Sequence, residues 1–435
     1  MKILMASTPA TGHINPLATI ARFLVEDGHE VIFLSGTAYR GRIESSGAKF
    51  QALPGKADAD LQDILAVAPE LEGVEPGLDW LRIALERIFV DRVADQHKGL
   101  QEVLRGFPAD AIVADDMYFG LLPMLLGPRA NRPAVLVCGT SILHCRRDDG
   151  APLFVGLPPA VSQAQFKEYE GIASEYGERV DQPSLAKLNL VLNDLGVGPL
   201  SVPIFEGTVL LADTYMQLSV PSFEFPRAFL PPSVNFIGAL PIIPGQAPLP
   251  SWAADLDGKR KVVLVTQGTV ANHDFGLLVG PTLAALANEP DILVVATAGG
   301  RPIDAIPGPI PSNARLAKYL PFEWLLPKVD VLVTNGGYGS VNQALSFGIP
   351  IIAAGMTEDK ADVNARIAWS GAGMNLRTNN PTPEAIQAAV RTALDAPIAG
   401  GTRSAWRPNL PPSTPGRRLC ACCGAMRVSA SHGRQ

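Results

Sequence analysis

The chain has 435 residues and a formal net charge of -6, with 47% hydrophobic and 18% charged residues. That length exceeds one ordinary core and predicts two domains, and the composition argues against disorder. An acidic balance without a dense basic run excludes nucleic acid and anionic membranes as partners and leaves small molecules.

The opening MKILMA is too short, and too soon broken by Ser, Thr, Pro and Gly, for a signal peptide. No run approaches the ~18 apolar residues of a membrane span, so a cytoplasmic chain is expected. KILMAS predicts the first strand, and GHINP follows it as a tight loop with Asn15 as helix N-cap and Pro16 at the first helical position. His13 therefore sits at a strand-to-helix turn. It reads either as a packed ring with satisfied nitrogens or as a neutral imidazole able to take a proton from a bound hydroxyl.

EVIFLS predicts a second strand. The stretch from Asp79 to Leu104 predicts one amphipathic covering helix, with Trp80, Ile83, Ala84 and Ile88 at helical spacing. AIVADD is a further strand, ending in Asp115 and Asp116 at the same sheet edge as the His13 loop. A carboxylate there can hold one ring nitrogen and stabilise an imidazolium, although an Asp pair at a strand end also serves as a helix cap. No GxSxG elbow accompanies it, which counts against triad hydrolysis.

After the strand AVLVCG, residues 140 to 235 are less regular, and GAPLFVGLPPA suits loops that wall an apolar pocket. Phe119, Leu121, Leu122, Leu143, Phe154 and Leu157 are candidates to line it, or ordinary core. Cys138 and Cys145, with three cysteines near the C-terminus, form neither a disulfide framework nor a two-pair zinc pattern, as suits a reducing compartment.

LPIIPGQAPLPSW, residues 240 to 252, carries four prolines and sustains neither helix nor central strand, so it reads as a linker. Four more apolar strands follow: VVLVTQ, ILVVATA, VLVTN and IPIIAAG. The expected fold is α/β, two doubly wound Rossmann-like domains facing across a cleft, with ligands at the carboxyl ends of the strands. The expected boundaries are residues 1–240, a linker 241–253, a second domain 254–398 and an atypical tail 399–435.

In the second half, TNGGYGS turns from strand to helix, so its glycines and helix tip favour an anion, a tight turn being the plainer reading. Gly268 and Thr269, in the VTQGTVAN loop, add amide and hydroxyl groups at the same edge. The Asp-x-Asp triplets at 58–60 and 255–257 lie in loop-like sequence and are discounted as metal ligands. The tail has six arginines and no acidic residue, with no helical or strand periodicity, and is expected to be poorly ordered.

In order and spacing, GHINP, the Pro-rich linker, YLPFEWLLP, TNGGYGS, GIPIIAAG and TEDK resemble the family 1 glycosyltransferases of two-domain GT-B fold. The resemblance covers nearly all of residues 1 to 397 and is strongest to microbial enzymes acting on macrolides and other natural products. It implies inverting, metal-independent transfer of a hexose from UDP-glucose or a related UDP or dTDP sugar to a hydroxyl of an apolar small molecule. No other cofactor is implied.

By the same resemblance His13 is the general base, steadied by Asp115 with Asp116 in reserve. Tyr319 stacks the nucleotide base where relatives carry Trp, with the Leu320 backbone beside it. Gly336, Gly337 and Ser340 cradle the phosphates, and Asp359 and Lys360 reach the sugar hydroxyls. Asn335 stands where His is common, Gln343 where Glu holds the ribose, and Lys360 where Gln is usual, which leaves the donor's identity open.

Relatives continue past PTPEAIQAAVRTAL with more helix and a segment bracing the first domain. The abrupt tail here reads as a shifted reading frame. Two rival readings, a non-catalytic sugar-nucleotide-binding protein and a nucleotide-sugar epimerase, share these motifs.

Overall fold

The computed structural model describes residues 1–242, 248–268 and 272–395. The tail, Thr269 and part of the linker lie outside the described residues.

Thirteen strands form two parallel sheets among the described residues. The first sheet holds β1 (Lys2–Ala6), β2 (Glu30–Ser35), β3 (Lys49–Ala52), β4 (Ala111–Asp115), β5 (Ala134–Gly139), β6 (Thr214–Gln217) and β7 (Val234–Phe236). The second holds β8 (Lys261–Thr266), β9 (Ile292–Thr297), β10 (Ala314–Ala317), β11 (Val331–Thr334), β12 (Ile351–Ala353) and β13 (Gly373–Asn375). The strand orders are β3-β2-β1-β4-β5-β6-β7 and β10-β9-β8-β11-β12-β13.

Successive strand residues point to opposite faces, and both faces are apolar. Ile3, Met5 and Val113 enter one core while Leu4, Ala6 and Ile112 enter another. A sheet covered on both sides needs such unbroken apolar runs, which is why the central strands are legible in sequence. The strands missed were β3, β6, β7, β10 and β13, all short and mostly at the sheet edges, where polar residues interrupt the run.

In each sheet the chain winds outward one way, then restarts on the other side of its first strand. The resulting switch points, between β1 and β4 and between β8 and β11, open crevices at the carboxyl ends. One apolar cluster contains Ile3 and Phe223 from the first half together with Tyr338, Val341 and Ile367 from the second. The two halves therefore share buried surface.

Two local expectations fail. The covering helix is not continuous: Leu78–Ala84 and Val93–Gly106 are joined by a wide π turn at Leu85–Phe89 and a tight turn at Val90–Arg92. The wider turn rotates the apolar face so that Leu85, Ile88, Val90 and Val93 are all buried. The first helix spans Thr11–Glu26, with Ala10 rather than Asn15 as its extended N-cap residue, and Pro16 lies inside it. That proline forfeits only the bond to the carbonyl of Gly12, an exposed residue, so the helix tolerates it. No helix among the described residues is long and apolar enough to cross a membrane.

Candidate active site

His13 occupies the first turn of the helix after β1, directly above the switch point. A helix N-terminus disfavours a cation, so carboxylates are needed if this ring is to charge. β4 lies beside β1 in parallel, with Ala6 opposite Ala114, which delivers Asp115 and Asp116 to the same edge.

The two acids divide the work. Asp115 Oδ1 lies 3.0 Å from His13 Nδ1. Its carboxylate is fixed by the Thr8 amide (2.6 Å), the Thr8 hydroxyl (3.0 Å) and the Met117 amide (3.0 Å). Burial pushes Asp115 up, but His13 and the Thr8 donors outweigh it and hold the group below the ordinary carboxylate range. Asp116 points instead at Thr140, accepting from its amide (3.1 Å) and hydroxyl (2.8 Å), and burial, with the neighbouring Asp115 charge, raises it to about 6.

The Thr140 hydroxyl in turn lies 2.9 Å from His13 Nδ1. Nδ1 is thus held twice, while Nε2 has no hydrogen-bond partner among the described residues, on a side chain 19% exposed. Burial lowers the pKa of His13, and the charges of Asp115, Asp116 and Asp359, with the Asp115 hydrogen bond, more than offset it, leaving the group above 6.5. An imidazole so arranged can accept a proton at Nε2 and keep the resulting charge.

His13, Asp115 and Asp116 are the one set of His, Cys, Asp or Glu side chains among the described residues with converging donor atoms, within 4.8 Å of one another. Asp115 Oδ1 takes the Thr8 hydroxyl, the Met117 amide and the His13 ring, and Oδ2 takes the Thr8 amide. The Asp-x-Asp triplets have structural partners: Asp58 holds Thr37, Asp60 the Tyr39 hydroxyl, Asp255 Arg315 and Asp257 Lys259.

At the second switch point Gly336 adopts a φ of +98°, and Gly337 is the extended N-cap residue of the helix Tyr338–Ser346, which has no acidic residue in its first turn. Its amides are open to an anion. A Cβ on Gly336 would lie 2.0 Å from Asn364 Oδ1, so only glycine fits. Asn364, buried in the helix Lys360–Trp369, donates to the carbonyls of Asn335 (3.3 Å) and Gly355 (2.9 Å) and so ties two loops together.

Asn335 does not aim outward. Its amide donates 2.8 Å to the Gln267 carbonyl, joining the β8 and β11 loops beside Gly268, whose φ is +71°. Ser340 and Gln343 are half-buried on the same helix. Tyr319 is 59% exposed, its hydroxyl lying over Gly300, while Leu320 is packed in the core.

Asp359 crosses the cleft. It accepts from the Ser141 hydroxyl at 2.6 Å and lies near enough to His13 to favour the charged ring. Lys360 is buried against Glu358, and burial pushes it down to about 8.

Sequence reasoning missed Thr140, Ser141 and Asn364. The first two follow β5, beside β4, so the strand-end logic applied to Asp115 would have found them. The apolar candidates divide: Phe119, Leu121, Leu122 and Leu143 are core, whereas Phe154 and Leu157 are half-buried on the loop facing the second half. Phe154 has a φ of +67° and its amide donates to Asp362.

Residues 282–405 match the family model for the erythromycin biosynthesis protein CIII-like C-terminal domain. The 4'-demethylrebeccamycin synthase of Lentzea aerocolonigenes is 38% identical over 91% of this chain and 92% of its own length. UDP-glycosyltransferase 2 of Phaeomoniella chlamydospora is 36% identical over 91% of this chain and 89% of its own. The solved glycosyltransferase of kitacinnamycin superposes with a TM-score of 0.68 at 19% identity, over 100% of this chain and 98% of that one. The parallel sheets meeting at two switch points thus belong to a glycosyltransferase: the chain is a member of family 1, of GT-B fold, and transfers a sugar from a nucleotide sugar.

Proposed function

We propose that the protein is an inverting hexosyltransferase that uses His13 as general base, taking UDP-glucose or a related UDP or dTDP sugar to a hydroxyl of an apolar small molecule. One observation carries this reading. Asp115, 3.0 Å from the His13 ring, and Asp359, bound to Ser141 at 2.6 Å, bring acceptor-side base and donor-side acid to one point.

The acceptor oxygen attacks the anomeric carbon as His13 Nε2 takes its proton, and the nucleoside diphosphate departs with the electron pair of the broken C–O bond. Gly336, Gly337 and Ser340 receive the leaving phosphates at the helix tip, where the helix dipole offsets charge without a metal ion. Tyr319 offers a stacking face to the base, Gly268 borders the donor, and Gln343 takes the ribose. Asp359 takes the sugar hydroxyls with Lys360 beside it. Asn335, which joins the two loops through the Gln267 carbonyl, stands at the donor-binding edge. Phe154 and Leu157 meet the acceptor. The relatives' names support a nucleotide-sugar donor and a natural-product acceptor.

Incubation with UDP- and dTDP-hexoses and pooled phenols and macrolides, read by mass spectrometry and NMR, should give a glycoside of inverted anomeric configuration plus free nucleoside diphosphate. The rate should be unchanged by EDTA. Retained configuration, or activity lost to EDTA and restored by a divalent cation, refutes the mechanism.

The rate should also rise with pH through the titration of His13, because only the neutral ring accepts a proton. Since burial is outweighed by the charges of Asp115, Asp116 and Asp359 together with the Asp115 hydrogen bond, the acid midpoint of kcat/KM lies above 6.5. Asp115→Asn removes that support and moves the midpoint down. A midpoint that stays in place shows that Asp115 does not act on the base.

A further inference from the structure

Asp116 is left over once Asp115 is assigned to His13, yet nothing about it looks idle. It is wholly buried at a sheet edge, where an ionised group is costly unless it is held. Both oxygens are engaged. Oδ1 takes the amide and hydroxyl of Thr140, and Oδ2 faces the Tyr215 hydroxyl at 3.5 Å and the His144 ring at 3.4 Å.

The geometry at Thr140 is directional. Its hydroxyl hydrogen is spent on Asp116 at 2.8 Å, so its oxygen lone pairs face His13 Nδ1 at 2.9 Å. Nδ1 therefore meets two acceptors, the Asp115 carboxylate at 3.0 Å and a hydroxyl polarised by a second carboxylate.

We propose that Asp116, acting through the Thr140 hydroxyl, is a second positioning acid for the base, so that the His13 imidazolium formed during transfer is held by a fork of two carboxylates. This rests on His13 being the base. In the step, the acceptor proton moves to Nε2 and stays there. The Nδ1 hydrogen remains shared between Asp115 Oδ1 and Thr140 Oγ1, the Thr140 hydrogen remains on its own oxygen, and Asp116 gains no proton.

The charged and titratable groups around this fork come from several elements. Asp115 and Asp116 come from the end of β4, Cys138 from β5, His144 from the segment after it and Tyr215 from β6. Asp359 comes from the second half. Cys138 and Tyr215 are raised by burial and stay neutral, and burial pushes His144 down to about 3, so it too is neutral. Beyond His144 lie Arg227 and Arg366, matched by two carboxylates, Glu224 and Asp362. Asp116, Asp115 and Asp359 are thus the charges that bear on the ring.

The test is kinetic. Asp116→Asn should lower kcat roughly tenfold, as loss of a charge-assisted hydrogen bond does, move the acid midpoint of kcat/KM down and leave the donor KM unchanged. Thr140→Val should do the same, Thr140→Ser should restore both readouts, and the double variant should be no worse than Asp116→Asn alone.

Independent, multiplying losses, or an Asp116→Asn midpoint equal to the wild type, overturn the fork. So does a Thr140→Val variant whose only defect is a raised donor KM, which would mark the hydroxyl as a sugar contact. Failure of the base assignment is separately visible, because His13→Ala would then retain transfer.

Discussion

Replacing His13 with Ala lowers kcat by about 10²–10⁴-fold, the usual contribution of a positioned general base, while UDP binding measured by calorimetry stays within a few-fold of the wild type. The two readouts separate because the groups lie on different sheets. His13 is held by Asp115 and Thr140 at the end of the first sheet, whereas Gly268, Gly336 and the helix Tyr338–Ser346 belong to the second. Removing the ring leaves the helix tip and its open amides in place, so the nucleotide still docks. It also leaves Asp115 buried with its Thr8 and Met117 donors intact, so the fold is kept. Transfer at the wild-type rate would end the base assignment. Nucleotide affinity lost in parallel with kcat would show that His13 shapes the donor site instead.

Glu224→Ala should lower the free energy of unfolding by about 3–5 kcal/mol, read by urea denaturation, because it strands buried positive charge. Glu224 is 3% exposed, and its Oε2 accepts from Arg366 Nε (3.1 Å) and Nη2 (3.0 Å) of the second half and from Arg227 (3.3 Å) of the first. Its other oxygen takes the Leu143 amide at 3.2 Å. The Arg366 guanidinium also stacks on the Phe225 ring, 4.2 Å from its centroid, with Trp369 edge-on at 5.5 Å. Water cannot replace the lost carboxylate there, so both guanidiniums keep their desolvation cost with less compensation. A loss below about 1 kcal/mol, the size expected of a surface pair, would mean that the halves open at this seam without penalty.

This seam shows where sequence reading stops. The central strands were legible because a doubly covered parallel sheet demands unbroken apolar runs, and the strand-to-helix turns after them were legible from glycine and proline. Parallel strands bring all their carboxyl ends to one edge, so His13 and Asp115 could be paired from sequence although β1 and β4 are far apart in the chain. The glycines of TNGGYGS could likewise be read as an anion cradle.

Orientation was not legible. The side-chain amide of Asn335 ties the β11 loop to the Gln267 carbonyl, a contact with no trace in the TNGGYGS pattern. Asp116 was read only as a reserve for Asp115, and the alternation at the strand end sends Asp115 to His13 and Asp116 to Thr140. The Asn15 cap was overruled because the helix starts at Thr11, over the sheet edge, and tolerates one proline.

By itself, then, the sequence determined two doubly wound sheets, a histidine and an acid at the first switch point, and a glycine-lined helix tip at the second, since all of these follow from local pattern and sheet topology. Only the tertiary structure decided that Asp359 meets Ser141, that Gln217 meets Tyr338 and that Glu224 meets Arg366. Such contacts depend on how two separately folded surfaces seat against each other, and that seating leaves no periodic trace in either segment.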